Sequence, residues 1–165
     1  MRIAIMSDTH DQIPNVRRAV EMIKAAGCDM IIHCGDFVAP FMLKELASAG
    51  VPVHGVFGNN DGDQYLLTKH SLTLYQNITL HGLFGQVEAG GRHIAFIHDG
   101  TLADDIAAGG RFDMVCFGHF HVYMHKRIGD TLVINPGEML GKDDVPGFCI
   151  VDTETMEPQR LTLDK

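Results

Sequence analysis

The chain lacks three things that would otherwise narrow its function quickly. Its four cysteines, Cys28, Cys34, Cys116 and Cys149, stand far apart and form no C-x-x-C pair. Free buried thiols in a reducing cytosol are therefore expected. Basic residues are few, 13 Lys and Arg against 21 Asp and Glu, for a formal net charge of -8. That excludes non-specific binding to nucleic acid or to an anionic membrane, both of which need a basic face. It does not exclude a phosphate ester, because bound cations can supply local positive charge. Long apolar runs are also missing: none approaches the roughly 18 residues of a membrane span. The opening Met1-Arg2-Ile3-Ala4-Ile5 reads as a strand rather than a secretion signal, so a cytoplasmic location with no membrane partner is expected.

What is present is a chain of 165 residues, 45% of them hydrophobic. That suits one globular domain over residues 1–165. Residues 2–7 read as a buried strand. Pro14 suits the first turn of a helix, and Val16, Ala19, Val20 and Ile23 repeat at helical spacing before Gly27. Met30 to His33 is a second strand, 40–48 a second helix and Val51 to Phe57 a third strand. This β-α-β-α-β order implies parallel strands with right-handed crossovers. Residues 61–77 are ambiguous, with a short helix near Tyr65 to Leu67.

From residue 78 the pattern changes. Strand-like pieces cover 78–88 and 92–97 across a Gly90-Gly91 hairpin signal. A short helix spans 101–108, and further strands follow at 114–117, 122–128, 131–134, 147–152 and 158–163. This half reads as mostly antiparallel. Two packed mixed β-sheets flanked by helices, an α/β four-layer sandwich, fit this order better than one doubly wound sheet.

Five apolar, strand-like runs each stop at potential metal ligands. Asp8-Thr9-His10 follows the first, Gly35-Asp36 the second and Gly58-Asn59 the third. His98 ends a fourth, and Gly118-His119-Phe120-His121 ends a fifth. Open α/β sheets build their sites at the carboxyl ends of strands, so these side chains are expected to converge. At a strand end, positions i and i+2 point the same way, which would aim each of the pairs Asp8/His10 and His119/His121 into one pocket. Seven ligand-type groups are too many for one tetrahedral zinc and suit two metals sharing a carboxylate. Carboxylate, amide oxygen and imidazole together favour manganese, iron, nickel or zinc over calcium or magnesium. A lone G-D or G-N is an ordinary turn and a lone His is more often structural. The joint pattern carries the reading.

The ordered set IAIMSDTHD, IIHCGDF, GNND, GHFH and INPGE resembles the calcineurin-like metallophosphoesterase family. It is most similar to the small single-domain phosphodiesterase branch of bacteria and archaea. The resemblance implies that Asp8, His10, Asp36 and His121 hold one divalent metal and Asp36, Asn59, His98 and His119 a second. Manganese is the first expectation, with nickel, iron or zinc as alternatives. It also implies a bridging hydroxide that attacks phosphorus without a covalent enzyme intermediate. The expected substrate is a small phosphodiester or other phosphate ester.

Two positions depart from the family's pattern. Asn60 stands where many members have a proton-donating His, and Asp99-Gly100 stands where a G-H pair is common. Asp99 reads as a turn residue, or as a partner orienting a ligand His. Asp61 reads either as a helix cap or as a partner of a ligand imidazole, and Asp11 as a cap near Pro14 or a substrate contact. His33 reads as a core histidine with a hydrogen-bond partner. Asn135-Pro136-Gly137 reads as a turn packing under the ligand loops, and Glu138 is given no role. The alternative function is a weakly active or inactive metal-binding scaffold, since the retromer scaffold subunit resembles this branch and works through protein contacts. A metallo-β-lactamase-like enzyme would need H-x-H-x-D-H, which the chain lacks. A homodimer is left open.

Overall fold

The computed structural model describes residues 1–163. Strands β1 (Arg2–Met6), β2 (Met30–His33), β3 (Val53–Gly55) and β4 (Ile78–Leu80) run parallel as neighbours. They alternate with helices α1 (Ile13–Ala25), α2 (Met42–Ala47) and α3 (Gln64–Thr73). The chain then builds a second sheet from β5 (Phe84–Ala89), β6 (Arg92–Ile97), β7 (Met114–Cys116), β8 (Tyr123–Ile128) and β9 (Thr131–Pro136). Helix α4 (Ala103–Ala108) lies between β6 and β7 in sequence. Strands β10 (Gly147–Asp152) and β11 (Pro158–Thr162) return to the first sheet, where β10 pairs antiparallel with β1. The two orders are β11-β10-β1-β2-β3-β4 and β5-β6-β7-β9-β8.

Period-two alternation along β1 shows why the sheets stack. Ala4 and Met6 face α1 and α2, in a core with Val16, Ala19, Val20, Ile23, Leu43 and Leu46. Ile3 and Ile5 face the other way, against Ile94, Phe96, Met114, Cys116, Leu132 and Ile134 of the second sheet. A strand buried on both faces reads as the continuous apolar run seen in the sequence. On its outer face the second sheet packs Ala95, Val115 and Val133 against Ala103 and Ala107 of α4. The result is helices, sheet, sheet, helix: the expected sandwich of two mixed sheets.

Three details differ from expectation. The 78–88 piece is two strands in different sheets, because Gly82 adopts φ 78° and turns the chain out of the first sheet. The second half is not uniformly antiparallel: β7 runs parallel to both β6 and β9, which makes the second sheet mixed, as the sandwich reading expects. The ambiguous 61–77 segment contains α3, capped by Asp63, whose side chain accepts from the Leu66 amide. Its periodicity is weak because α3 buries only Leu67 and Ser71, leaving Tyr65 and Leu72 exposed. The Gly90-Gly91 hairpin is as expected, with φ 56° and 73°.

All four cysteines are free and buried. Burial pushes the Cys149 thiol up to about 12 and raises Cys34 well above its ordinary value.

His33, at the end of β2, is fully buried and stacks on Phe37 with ring centroids 3.8 Å apart. Its Nδ1 accepts from the Gly35 amide, so in the neutral ring Nε2 carries the proton and donates to Thr9 Oγ1. Thr9 in turn donates to the Asp36 carbonyl. A core histidine thus ties two of the ligand-bearing loops together. Burial pushes its pKa down from 6.5 to about 3, so it is neutral in the folded protein. The unfolded chain binds the extra proton between those values. This contribution to stability is therefore complete above pH 6.5 and is lost as pH falls below it. We predict a urea-unfolding free energy that falls with acidification by up to about 1 kcal/mol per pH unit from this group. The slope should be shallower in His33→Gln; equal slopes in the two proteins would contradict it.

Candidate metal centre

The loops after β1, β2, β3, β6 and β7 all open at one edge of the sandwich. Backbone hydrogen bonds join them: Asp8 N–H to Gly35 O, His10 N–H to Asp36 O, and Gly118 N–H to His98 O. All seven ligand candidates meet there. His10 Nε2 lies 3.2 Å from Asp36 Oδ2 and 3.9 Å from Asp8 Oδ1, and His121 Nε2 lies 3.2 Å from Asp8 Oδ1. Asn59 Oδ1 lies 2.9 Å from His98 Nε2 and 3.0 Å from His119 Nδ1. His98 Nε2 is also 3.5 Å from Asp36 Oδ2, so Asp36 stands between the two groups.

The convergence does not come from strand alternation. β1 stops at Met6 and β7 at Cys116, before either ligand pair. Asp8, His10, Asp36, His119 and His121 instead adopt positive φ, between 39° and 70°. Non-glycine residues rarely do so, and such strain clusters at functional sites. The pair on the last loop splits: His119 turns to Asn59 and His121 to Asp8. Glycines allow the loops their close approach. A Cβ at Gly58 would sit 2.1 Å from Asp36 Oδ1, and one at Gly118 2.0 Å from Ser7 Oγ.

A divalent cation suits this donor set on two grounds. Asp8 Oδ1 and His10 Nε2 are buried and have no hydrogen-bond partner. His98 Nδ1 faces the Cys34 carbonyl oxygen at 2.7 Å and must donate to it. In the neutral ring Nε2 then holds a lone pair, pointed at another acceptor, Asn59 Oδ1. A cation between two acceptors so placed would satisfy both. Electrostatics agree. Contact with Asp36, then Asp8, raises His10 to about 9 despite burial. Burial alone would raise Asp36, yet His10 and two hydrogen bonds from Asn60 hold it well below its ordinary value. Asp8 follows the same balance: burial would raise it, and His10, Ser7, His98 and His121 together bring it below its ordinary value.

The family model of the calcineurin-like phosphoesterase superfamily domain matches residues 1–156. The chain belongs to that superfamily. It is 34% identical over 166 residues to the phosphodiesterase MJ0936 of Methanocaldococcus jannaschii, covering 99% of this chain and 100% of the relative. A solved structure described as a novel archaeal phosphodiesterase, 34% identical, superposes with a TM-score of 0.92 over 99% of this chain and 100% of its own. Vps29 of Chaetomium thermophilum shares the fold, with a TM-score of 0.72 at 16% identity over 99% of this chain and 94% of its own.

Within this superfamily frame the flanking residues have definite positions. Asn60 puts its amide N–H and its side-chain Nδ2 on the two Asp36 carboxylate oxygens, at 2.8 and 2.7 Å. Asp61 is neither a helix cap nor an imidazole partner. Its buried carboxylate accepts from the amides of Asp36, Val38 and Gly58, clamping two ligand loops together. Val38 is β-branched and held at φ 77°, so the clamp also restrains strain. Asp11 does not cap α1; it accepts from Ala39 N–H on the loop after β2. Asp99 is exposed and accepts from Thr101 N–H, opening the short 3₁₀ turn Gly100–Leu102 rather than orienting an imidazole.

Glu138 is the residue that sequence reasoning left without a role. It is fully buried, and Oε2 lies 2.9 Å from His121 Nδ1. Its Oε1 accepts from the amide of Asp144 at 2.8 Å and from that of Asp143. Nothing local in the sequence marks it, beyond its place directly after Asn135-Pro136-Gly137. Asn135 and Pro136 are the end of β9 rather than a turn, but the segment does pack under the loops: Asn135 Nδ2 donates to the Gly118 carbonyl, and Met139 N–H donates to the Ser7 and Asp8 carbonyls.

A carboxylate behind a ligand imidazole fixes its tautomer and raises its basicity. Glu138→Gln is predicted to weaken divalent-metal affinity by about 10- to 100-fold with the fold intact. Metal titration calorimetry checks this, and unchanged affinity would contradict it. Asp61→Ala leaves three N–H groups without their acceptor and is predicted to cost roughly 3 kcal/mol in urea unfolding. A loss under about 0.5 kcal/mol, the scale of an ordinary surface substitution, would remove the clamp from the account.

Proposed function

We propose that the protein is a two-metal phosphodiesterase. The observation that carries this reading is the pair of overlapping donor sets meeting at Asp36. Asp8, His10, Asp36 and His121 would hold one divalent cation, and Asp36, Asn59, His98 and His119 the other. The matching relative's name as a phosphodiesterase supports diester over monoester hydrolysis. Manganese is proposed first, with nickel, iron or zinc suited to the same mixed donor set. When bound, such cations supply Lewis-acid activation of water and offset phosphoryl charge.

The chain's own residues supply position. Asp8 and Asp36 provide the negative charge that seats cations in a protein of net charge -8. His33, Thr9 and Asp61 hold the Asp36 loop, and Glu138 Oε2 stands 2.9 Å behind His121 Nδ1. The open cleft above, about 500 Å³, is lined by His10, Asn60, Phe120, Leu140 and Lys142 among others. It is the proposed place of the phosphoryl group, with Lys142 as a flanking cation. Asn60 cannot give up a proton, so esters with good leaving groups should turn over fastest.

The same-fold scaffold is a second reading, favoured by the likeness to Vps29 and countered by the convergence of all seven ligand candidates. Among the described residues no helix is long and apolar enough to cross a membrane. The four buried free thiols support the cytosol as the proposed location.

The test is hydrolysis of bis(4-nitrophenyl) phosphate and of 4-nitrophenyl phosphate by metal-stripped protein, with manganese, nickel, zinc or magnesium added back. We expect metal-dependent turnover, faster on the diester, and a fall of at least about a hundredfold in Asp36→Ala. Stoichiometric metal binding without turnover on either ester would favour the scaffold.

A further inference from the structure

Beside the cleft, and lined in part by His98, lies a second cavity of about 520 Å³. Asn59 and His119 form a wall common to this cavity and to the phosphoryl cleft. The remaining surface is mostly apolar, from Phe57, Leu83, Ile97 and Leu102, with Gln64 as one neutral polar group. Leu83 and Leu102 are 68% and 51% exposed, an uncovered apolar pair beside a charged centre. The lining carries one carboxylate, Asp99, and no Lys or Arg. The phosphoryl cleft on the other side of His119 is opposite in character, with Asn60, Lys142 and Asp143.

A tetrahedral phosphodiester bound at the centre sends its two ester groups in different directions, whereas a monoester has only one to place. Two cavities that share Asn59 and His119 but differ in polarity match two unlike ester groups. We propose that the second cavity is a subsite for an uncharged, apolar ester group of aryl size, with Leu83 and Leu102 as specificity residues. Asp99 disfavours a second anionic group there, and the apolar walls leave most hydroxyls of a sugar without partners. This inference rests on the phosphodiesterase reading, because a phosphoryl group at the metal centre is what anchors the ester group.

The experiment compares methylphosphonate with phenylphosphonate by calorimetry on manganese-loaded protein. The two probes share the phosphonate and differ in the ring. Burial of the ring predicts that phenylphosphonate binds at least about tenfold tighter. The double variant Leu83→Asn/Leu102→Asn, which removes the apolar surface without adding charge, should bind methylphosphonate like the wild type and lose the advantage of the ring. Both leucines are exposed, so the fold should tolerate the change. Equal affinities in the wild type, or a preference that survives in the variant, would overturn the subsite and leave the phosphodiesterase reading standing. Failure of both phosphonates to bind would overturn both.

Discussion

Two carboxylates buried at one edge of a β-sandwich impose the constraint around which the rest is arranged. Asp8 and Asp36 are 0% and 1% exposed. Isolated burial of an ionised carboxylate costs far more than a small fold can absorb, so each must be surrounded by donors or cations. Asn60 supplies hydrogen bonds to Asp36, and His10, His98 and His121 crowd the remaining oxygens. Even so, Asp8 Oδ1 and His10 Nε2 are left without hydrogen-bond partners. Divalent cations would complete that electrostatic arrangement, and would draw an anionic phosphate ester to a protein whose own net charge, -8, is of the same sign.

The constraint reaches outward through the backbone. Ligand side chains can surround a small volume only if their loops turn sharply, and five of the seven candidates do so at positive φ. Such conformations each cost on the order of 1–3 kcal/mol and persist only where the surroundings hold them. Here the surroundings are Asp61 with its three amide contacts, His33 wedged against Phe37, and Asn135 bonded to Gly118. Beneath them the inter-sheet core of Ile, Met, Phe and Cys side chains provides a rigid floor. Strain at the edge and close packing in the middle are parts of one design, because a loop this strained needs a base that does not move.

Function then follows from asymmetry. One side of His119 is polar and carries Lys142, while the other is apolar and carries Leu83 and Leu102. A centre that binds phosphoryl groups by charge alone would accept many esters. The unlike flanks give it a means of choosing between them, without a cap or an inserted domain.

Much of this was legible in the sequence. The seven ligand candidates could be named because short polar motifs interrupt apolar runs at each strand end, and the β-α-β-α-β opening follows from periodicity. The reason given for their convergence was wrong, though the outcome held: left-handed turns, not strand alternation, aim the pairs, and backbone φ at Asp8 or His119 is not written in residue type. The roles of Asp61 and Asp11 are not legible locally because the amides of Asp36, Val38 and Ala39 that they hold lie 23 to 28 residues away, on another loop. Glu138 escaped notice for the same reason, since His121 is its neighbour only across β8 and β9. The sequence by itself determined which residue types stand at the strand ends, and so the chemistry of the centre. Tertiary structure alone decided which of them face each other, which carboxylates serve as clamps, and that one flank of the cleft is apolar. Those are contacts between segments distant in the chain, and they exist only once two sheets have packed.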